Sequence, residues 1–469
     1  MSTLDDDYDL RTSAAALDTD GTDVADPAAA ADPATATATA AAATDADADD
    51  ATPRADAATA AWIGAESMGF HGAVDDTAAL GRSARRLVAD GRRLTGVHRR
   101  DPNPGSLDEL GWPVATFASF DKTLHVGGGR LIEADLIAGV TVQPTHRRRG
   151  ILRRMITDDL ARAKAAGTAV AALTASEGTI YRRFGFGVGV RERTIEVDAR
   201  RAGGLLSEPE GSTELVTTAS LAEVAPEVFA RFHVRSPGSI DRHEGAWDHA
   251  LGRERADGTP DPAVRAAVHR DATGTVDGYV TYRVESVGGG EGATGTQTLV
   301  VVDLVAASDD AYLGLWQLLL AVDLVSTIRY PNAPQHDPLP HALVDGRALT
   351  VRHDEDHVWF RILDPVTALQ ARPWAADGVV TIAIGDSLGH AAGTYRVTSE
   401  AGEATVKKAA VRRADLELDV ATLGSLWLGG FDPVTLAAAG LVRERRKGAV
   451  QKLRAMLLPE RPLHGITYF

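Results

Sequence analysis

Val140-Thr141-Val142-Gln143-Pro144-Thr145-His146-Arg147-Arg148-Arg149-Gly150-Ile151-Leu152 decides how this chain is read. A strand-like run from Leu131 ends at Val142, a short loop follows, and a helical pattern opens near Gly150. In that helix Leu152, Met155, Ile156 and Leu160 form one apolar stripe, and Gly167 sits where a C-terminal cap belongs. Backbone N–H groups at such a helix start have no intrahelical acceptor and carry the positive end of the helix dipole. Gly150 lets the backbone approach an anion closely because no Cβ intervenes. Arg147, Arg148 and Arg149 add fixed charge with the fork geometry that suits phosphate oxygens. Three arginines alone would equally well coat a solvated turn. Strand, Arg-x-x-Gly-x-Leu and amphipathic helix together read as a diphosphate cradle.

Working outward, Val114 to Phe120 and Leu131 to Val142 precede the cradle as strands; Ala169 to Leu173 and Thr194 to Val197 follow its helix. Strand, helix and strand in this spacing make a βαβ unit. Gly278 to Glu285, Thr298 to Val305 and the helical Tyr312 to Val322 repeat the order. Their connecting segment is Ala306-Ala307-Ser308-Asp309-Asp310-Ala311. Two carboxylates stand there in place of arginines and glycine, so one diphosphate site per chain is expected. The last hundred residues open with strands at Val379 to Ile384, Thr394 to Val397, Ala404 to Val406 and Leu416 to Val420. Helices at Thr422 to Leu428, Pro433 to Ala439 and Gly448 to Leu457 complete a small α+β domain.

At 469 residues the chain exceeds one core. It has no cysteine, which excludes disulfides and thiol chemistry. No stretch approaches a membrane-spanning run, and the acidic MSTLDDDYDL start lacks a secretory pattern, so a cytoplasmic address is expected. Residues 1–60 hold fourteen Asp against Arg11 and Arg54, a net of −12 out of −16, and are nearly all Ala, Asp and Thr. That composition reads as a disordered acidic tail. The remaining charge of −4 gives nucleic-acid binding no support.

The loop resembles the acetyl-CoA motif of the GNAT superfamily, Arg/Gln-x-x-Gly-x-Gly/Ala, with Leu152 at the small final position. The resemblance narrows to the enhanced intracellular survival (Eis) acetyltransferases through PTHRRRG, ALTASEGTIYRRFGFG at 172–187, HDPLPHALVD at 336–345, LGSLWLGG at 423–430 and the terminal aromatic. It implies an α/β (α+β) architecture: tandem GNAT folds, each a mixed sheet flanked by helices, and a C-terminal sterol-carrier-like domain. The implied parts are a tail at 1–60, a catalytic domain at 61–203, a degenerate copy at 204–363 and the sterol-carrier-like domain at 364–469. Acetyl-CoA is the implied co-substrate, with no metal. Val140, Thr141 and Val142 would meet the pantetheine arm; Arg148, Arg149, Gly150, Ile151, Leu152 and Arg153 would surround the pyrophosphate; Ser176 and Glu177 would lie beside the cofactor.

By the same resemblance Tyr181 is the general acid and the carboxylate of Phe469 the base. A tyrosine hydroxyl, ordinarily titrating near ~10, is protonated at neutral pH and can supply a departing thiolate. The bland alternative is an aromatic packed on Phe184 and Phe186. Leu463, Ile466, Tyr468 and Phe469 make an apolar ending that reads as docked. The family often has His and Glu where Thr174 and Tyr468 stand, which puts acceptor preference in doubt. Glu66, Asp75 and Asp76 are candidates for an acidic acceptor wall. The implied acceptors are multi-amine compounds such as aminoglycosides, or lysine side chains, and the implied assembly is a homohexamer. The rival reading is an apolar-ligand carrier with a vestigial first domain. His353-Asp354-Glu355-Asp356-His357 has metal-ligating residue types but no recognised zinc spacing. His336-Asp337-Pro338-Leu339-Pro340-His341 reads as a rigid connection, and Gly288–Gly290 as a plain loop.

Overall fold

A computed structural model describes residues 4–18, 54–73, 76–253, 261–286 and 297–469. They form two compact units: Met1–Asp121 with Asp135–Ala166, and Lys122–Ala134 with Gly167–Phe469.

In the first unit the strand order is β1 (Tyr8–Ala14), β2 (Arg93–Arg99), β3 (Ala115–His125), β4 (Leu131–Val142). β1 is antiparallel to β2, with Tyr8 opposite Arg99, and β2 is antiparallel to β3, with Arg93 opposite Ser119. Two helices, Ala57–Gly69 and Thr77–Ala89, start on Asp56 and Asp76, whose carboxylates accept backbone N–H groups as N-caps should. The alanine-rich first helix buries Trp62 and Ile63 with Leu80, Ala84, Leu94 and Ala118, and the Trp62 indole donates to the Thr95 carbonyl (3.0 Å). The helix Ile151–Ala165 buries Ile151, Met155, Ile156, Leu160 and Ala163. Leu152 is only half-buried, so Ile151 heads the stripe instead. A polar lock sits beneath this helix: Ser119 donates to Asp159 (2.8 Å), and Arg93 and Arg162 both donate to fully buried Asp135 (2.8 and 2.5 Å).

The expectation of disorder over 1–60 is corrected for part of that stretch. Tyr8–Ala14 is a paired strand, Leu17 bridges Ala55, and Ala57–Gly69 is helical. Averaging over Ala, Asp and Thr hid a short segment, YDLRTSA, with β-forming Tyr8 and Thr12. Tyr8 is 3% exposed and meets the His146 ring edge-on at 5.9 Å. Residues 19–53 lie outside the described residues, as do Asp75 and Gly288–Gly290.

The second unit holds a sheet run in the order β5 (Val170–Thr174), β12 (Leu349–Ile362), β6 (Gly187–Asp198), β11 (Val325–Pro334), β10 (Gln297–Ala306), β9 (Val276–Ser286), β8 (Arg265–Arg270), β7 (Ser212–Val216). β12 is antiparallel to both β5 and β6, so the last strand of the second copy is seated between strands of the first. β10 and β11 are parallel and joined by the helix Asp309–Leu320, which buries Leu315, Trp316 and Leu319. Strands β9 and β10 and the following helix are those expected from sequence; β11, which completes the strand–helix–strand unit, was not among them. A second sheet, β15 (Glu403–Lys408), β14 (Gly393–Glu400), β13 (Gly378–Gly385), β16 (Leu416–Asp419), β17 (Val442–Glu444), packs with the helices Pro365–Ala371, Val420–Leu426 and Ala449–Leu457. Among the described residues no helix is long and apolar enough to cross a membrane.

Candidate active site

The cradle lies wholly in the first unit. β4 ends at Val142, one 3-10 turn spans Pro144–His146, and the helix begins at Ile151. Between them Arg148 has φ +63° and Gly150 φ +89°, so the chain reverses through two left-handed positions. Backbone amides gathered by such a reversal make an anion-binding concavity. The N-cap residue, Gly150, has no side chain with which to cap this helix. Its first return bond is Arg154 N–H to the Gly150 carbonyl (3.0 Å). A Cβ added to Gly150 would meet nothing within 4 Å. The arginines bend back lightly, Arg147 Nε donating to the Val142 carbonyl (3.3 Å) and Arg149 Nη2 to the Thr145 carbonyl (3.4 Å). Arg147, Arg148, Arg149 and Arg153 are all exposed. The Thr141 hydroxyl is committed to Thr116 (2.6 Å) inside the unit, so its contribution to a ligand is main-chain.

Two other helix starts serve as internal controls. In the second copy Ser308 caps the helix through Ala311 N–H (2.9 Å), and Asp309 pairs with Arg235 and Arg461. That end is closed by the chain's own side chains. The Arg445-Arg446-Lys447-Gly448 turn mimics the cradle more closely: Gly448 has φ +85° and no side-chain cap bond. There, however, the Glu444 carboxylate accepts from Val450 N–H (3.0 Å), Glu417 pairs with Arg443 and Arg445, and Asp415 with Arg446. Both look-alikes are capped by side chains of the chain itself, a serine hydroxyl in one and a glutamate carboxylate in the other.

Ser176, Glu177, Tyr181 and Phe469 belong to the second unit. Ser176 and Glu177 are exposed on the turn after β5. Tyr181 ends the short helix Gly178–Tyr181, is 6% exposed and meets Phe186 edge-on at 6.2 Å. Burial, then the nearby Glu177 charge, pushes its hydroxyl up to about 12. It is therefore neutral and a proton donor at any working pH. The aromatic packing and the acid role turn out to be compatible.

The C-terminal segment is docked. Leu463 is buried, His464 N–H donates to the Pro237 carbonyl (2.9 Å), and the Thr467 hydroxyl donates to the Ile240 carbonyl (2.8 Å). The Tyr468 ring stands edge-on to His357 with centroids 4.4 Å apart. At Phe469 the terminal oxygen accepts from the Thr174 hydroxyl (2.6 Å). Sequence reading marked Thr174 only as a departure from a family pattern; its bond to the chain end was not legible, because the partners lie 295 positions apart.

Of the acidic-wall candidates, Asp76 is spent capping Thr77–Ala89 through Ala79 N–H (2.8 Å), and Glu66 is half-buried on its helix. The His353–His357 run lies within strand β12. Asp354 pairs with Arg191 and Arg193, and Asp356 accepts from the Trp359 indole. Among the described residues no three His, Asp or Glu side chains gather to hold a metal ion. In the His336–His341 connection Asp337 accepts from the Tyr312 hydroxyl (2.7 Å) and Leu339 N–H (2.8 Å), which fixes it between β11 and β12.

Comparison with known proteins adds to this geometry. Residues 105–189 and 238–362 each match a model of an acetyltransferase (GNAT) domain, and 365–464 match a sterol carrier protein domain. The chain is 37% identical over 412 residues to an uncharacterised N-acetyltransferase of Streptomyces avermitilis, covering 87% of this chain and 96% of the relative. It is 31% identical over 359 residues to the N-acetyltransferase Eis of Mycobacterium tuberculosis, covering 74% and 84% respectively. Among solved structures, Eis1 from Mycobacterium abscessus superposes with a TM-score of 0.69 at 32% identity, over 80% of this chain and 91% of that one.

Proposed function

The chain belongs to the Eis-type N-acetyltransferases of the GNAT superfamily, with tandem GNAT domains and a sterol-carrier-like third domain, and on that premise we propose that it acetylates primary amines of polycationic acceptors. GNAT acetyltransferases use acetyl-CoA as co-substrate. The acceptors fitting this reading are aminoglycoside-like compounds and lysine side chains. The domain boundaries that go with it are 61–203, 204–363 and 364–469, and a cytoplasmic homohexamer is the assembly.

The observation carrying the proposal is the arginine-rimmed helix start at Gly150, set against two look-alikes that the chain's own side chains cap, the Ser308 hydroxyl in one and the Glu444 carboxylate in the other. Val140–Val142 offer main chain to the pantetheine arm. Arg148, Arg149 and the amides of Gly150–Arg153 take the diphosphate, with Ser176 and Glu177 beside the cofactor. The reaction is direct transfer in a ternary complex. The bound ammonium first releases one proton to solvent; the neutral amine then attacks the thioester carbonyl, the C–S bond breaks, and the leaving thiolate takes the Tyr181 proton. The nitrogen, acidified as the C–N bond forms, gives its proton to the Phe469 carboxylate through water. With an ordinary pKa of ~3.5 that carboxylate is a weak base, so holding and orienting the ammonium is the larger part of its work. The apolar-carrier alternative is not favoured, because an intact cradle has no purpose in it.

The experiment is thiol release from acetyl-CoA across a panel of amines, with the native chain and with short extensions at either end. Multi-amine acceptors should release thiol fastest. An extension after Phe469 should abolish turnover, and one before Met1 should not. Full activity with the C-terminal extension refutes the role given to Phe469; no release with any amine refutes the proposal.

A further inference from the structure

The terminal carboxylate works only if the last residue of the chain is held still, and free ends ordinarily fray. Three successive residues are bound here, by the segment before the helix Glu244–Ala250 and by β5: Thr467 by the Ile240 carbonyl, Tyr468 by His243, and Phe469 by Thr174. The His243 contact is a 2.6 Å bond from Nε2 to the Tyr468 carbonyl, one peptide from the chain end. Its other ring nitrogen faces the N–H of Ala246 (3.4 Å), at the start of the helix Glu244–Ala250. An N–H there makes Nδ1 the acceptor, which leaves the proton on Nε2, the nitrogen that must donate to Tyr468. The tautomer is thus set by the helix it caps. The start of the helix Glu244–Ala250 orients an imidazole onto the catalytic tail.

We propose that His243 is a positioning residue for the reaction: it clamps the Tyr468 carbonyl so that the Phe469 carboxylate, steadied by Thr174, stays where the acceptor nitrogen is bound. This rests on the terminal carboxylate having the role given above. The frame is stiff where it matters. Thr174 is paired with Val358 in the β5–β12 ladder, next to the buried His357 whose ring the Tyr468 side chain meets.

The test compares His243→Ala, His243→Gln and a chain lacking Phe469, each full-length otherwise. A Gln amide can donate from nearly the position of Nε2. In His243→Ala kcat should fall about 10- to 100-fold, as loss of positioning does, with the KM for acetyl-CoA unchanged. Carboxypeptidase should release Phe469 faster from it than from the native chain. His243→Gln should recover both, to within about threefold of native kcat. An unchanged kcat in His243→Ala, a fall without faster Phe469 release, or a Gln variant no better than Ala each overturns the proposal. The truncated chain separates the two readings. If it still turns over, the role of the carboxylate fails, and carboxypeptidase alone decides whether His243 holds the tail. If it is dead while His243→Ala is fully active, the positioning role is what fails.

Discussion

Gly150 and Gly448 offer a matched pair of perturbations. Their dihedrals are nearly the same (φ +89°, ψ −1° and φ +85°, ψ 1°), and each stands at the N-cap of a helix without a side chain of its own to cap it. A Cβ added to either meets nothing within 4 Å, so steric collision contributes nothing in either case. What remains is the left-handed backbone cost of an L-residue, about 1–2 kcal/mol. Gly150→Ala and Gly448→Ala should therefore lose similar unfolding stability. Their effects on cofactor should diverge. At Gly448 the helix start already holds Glu444, so no ligand is displaced. At Gly150 relaxation of φ re-aims the amides that grip the diphosphate. Losing one hydrogen bond to a charged group costs about 1.5–3 kcal/mol, which is roughly 10- to 100-fold in Kd. Isothermal calorimetry with acetyl-CoA reads this directly. Gly150→Ala binding within twofold of native, or Gly448→Ala weakening as much, would refute the reasoning.

Tyr181→Phe should cut kcat by about 100-fold or more, the range of a lost general acid, with acetyl-CoA affinity unchanged. Because burial and Glu177 push the hydroxyl up to about 12, the native pH–rate profile should show no falling limb from Tyr181 below roughly pH 11. A limb near the ordinary tyrosine value of ~10, absent in Tyr181→Phe, would contradict that. His357 is buried and pushed down to about 3, mainly by burial and then by His464, so the fold keeps it neutral while the unfolded chain protonates it near ~6.5. Its contribution to stability is whole above that value and is lost as pH falls toward about 3. The urea midpoint should drop between about pH 7 and pH 5 in the native chain and drop less in His357→Leu; equal drops would contradict the assignment.

The strands and helices around the cradle were legible because local chemistry fixes them. The apolar stripe from Met155 to Leu160 and the glycines at 150 and 167 mark one helix at both ends. Alternation at Leu416 and Leu418 likewise gave β16 its half-buried face. Tyr8–Ala14 was missed because its strand exists only by pairing with Arg93–Arg99, about eighty residues away. The insertion of β12 between β5 and β6 is equally non-local, and periodicity carries no trace of it. At the site, Gly150 and its arginines announced themselves by spacing. Thr174 and His243 did not, since each acts through a backbone oxygen at the far end of the chain, the terminal oxygen of Phe469 and the carbonyl of Tyr468. Asp76 shows the converse: an acidic residue near the expected acceptor wall turned out to be a helix cap.

The central claim is that one open helix start holds the diphosphate of acetyl-CoA. Calorimetric titration of the native chain, beside an Arg148→Glu/Arg149→Glu variant, tests it most directly. The account predicts one equivalent of acetyl-CoA bound per chain and no measurable binding in the variant. Two equivalents, or a variant that binds as the native chain does, would contradict it.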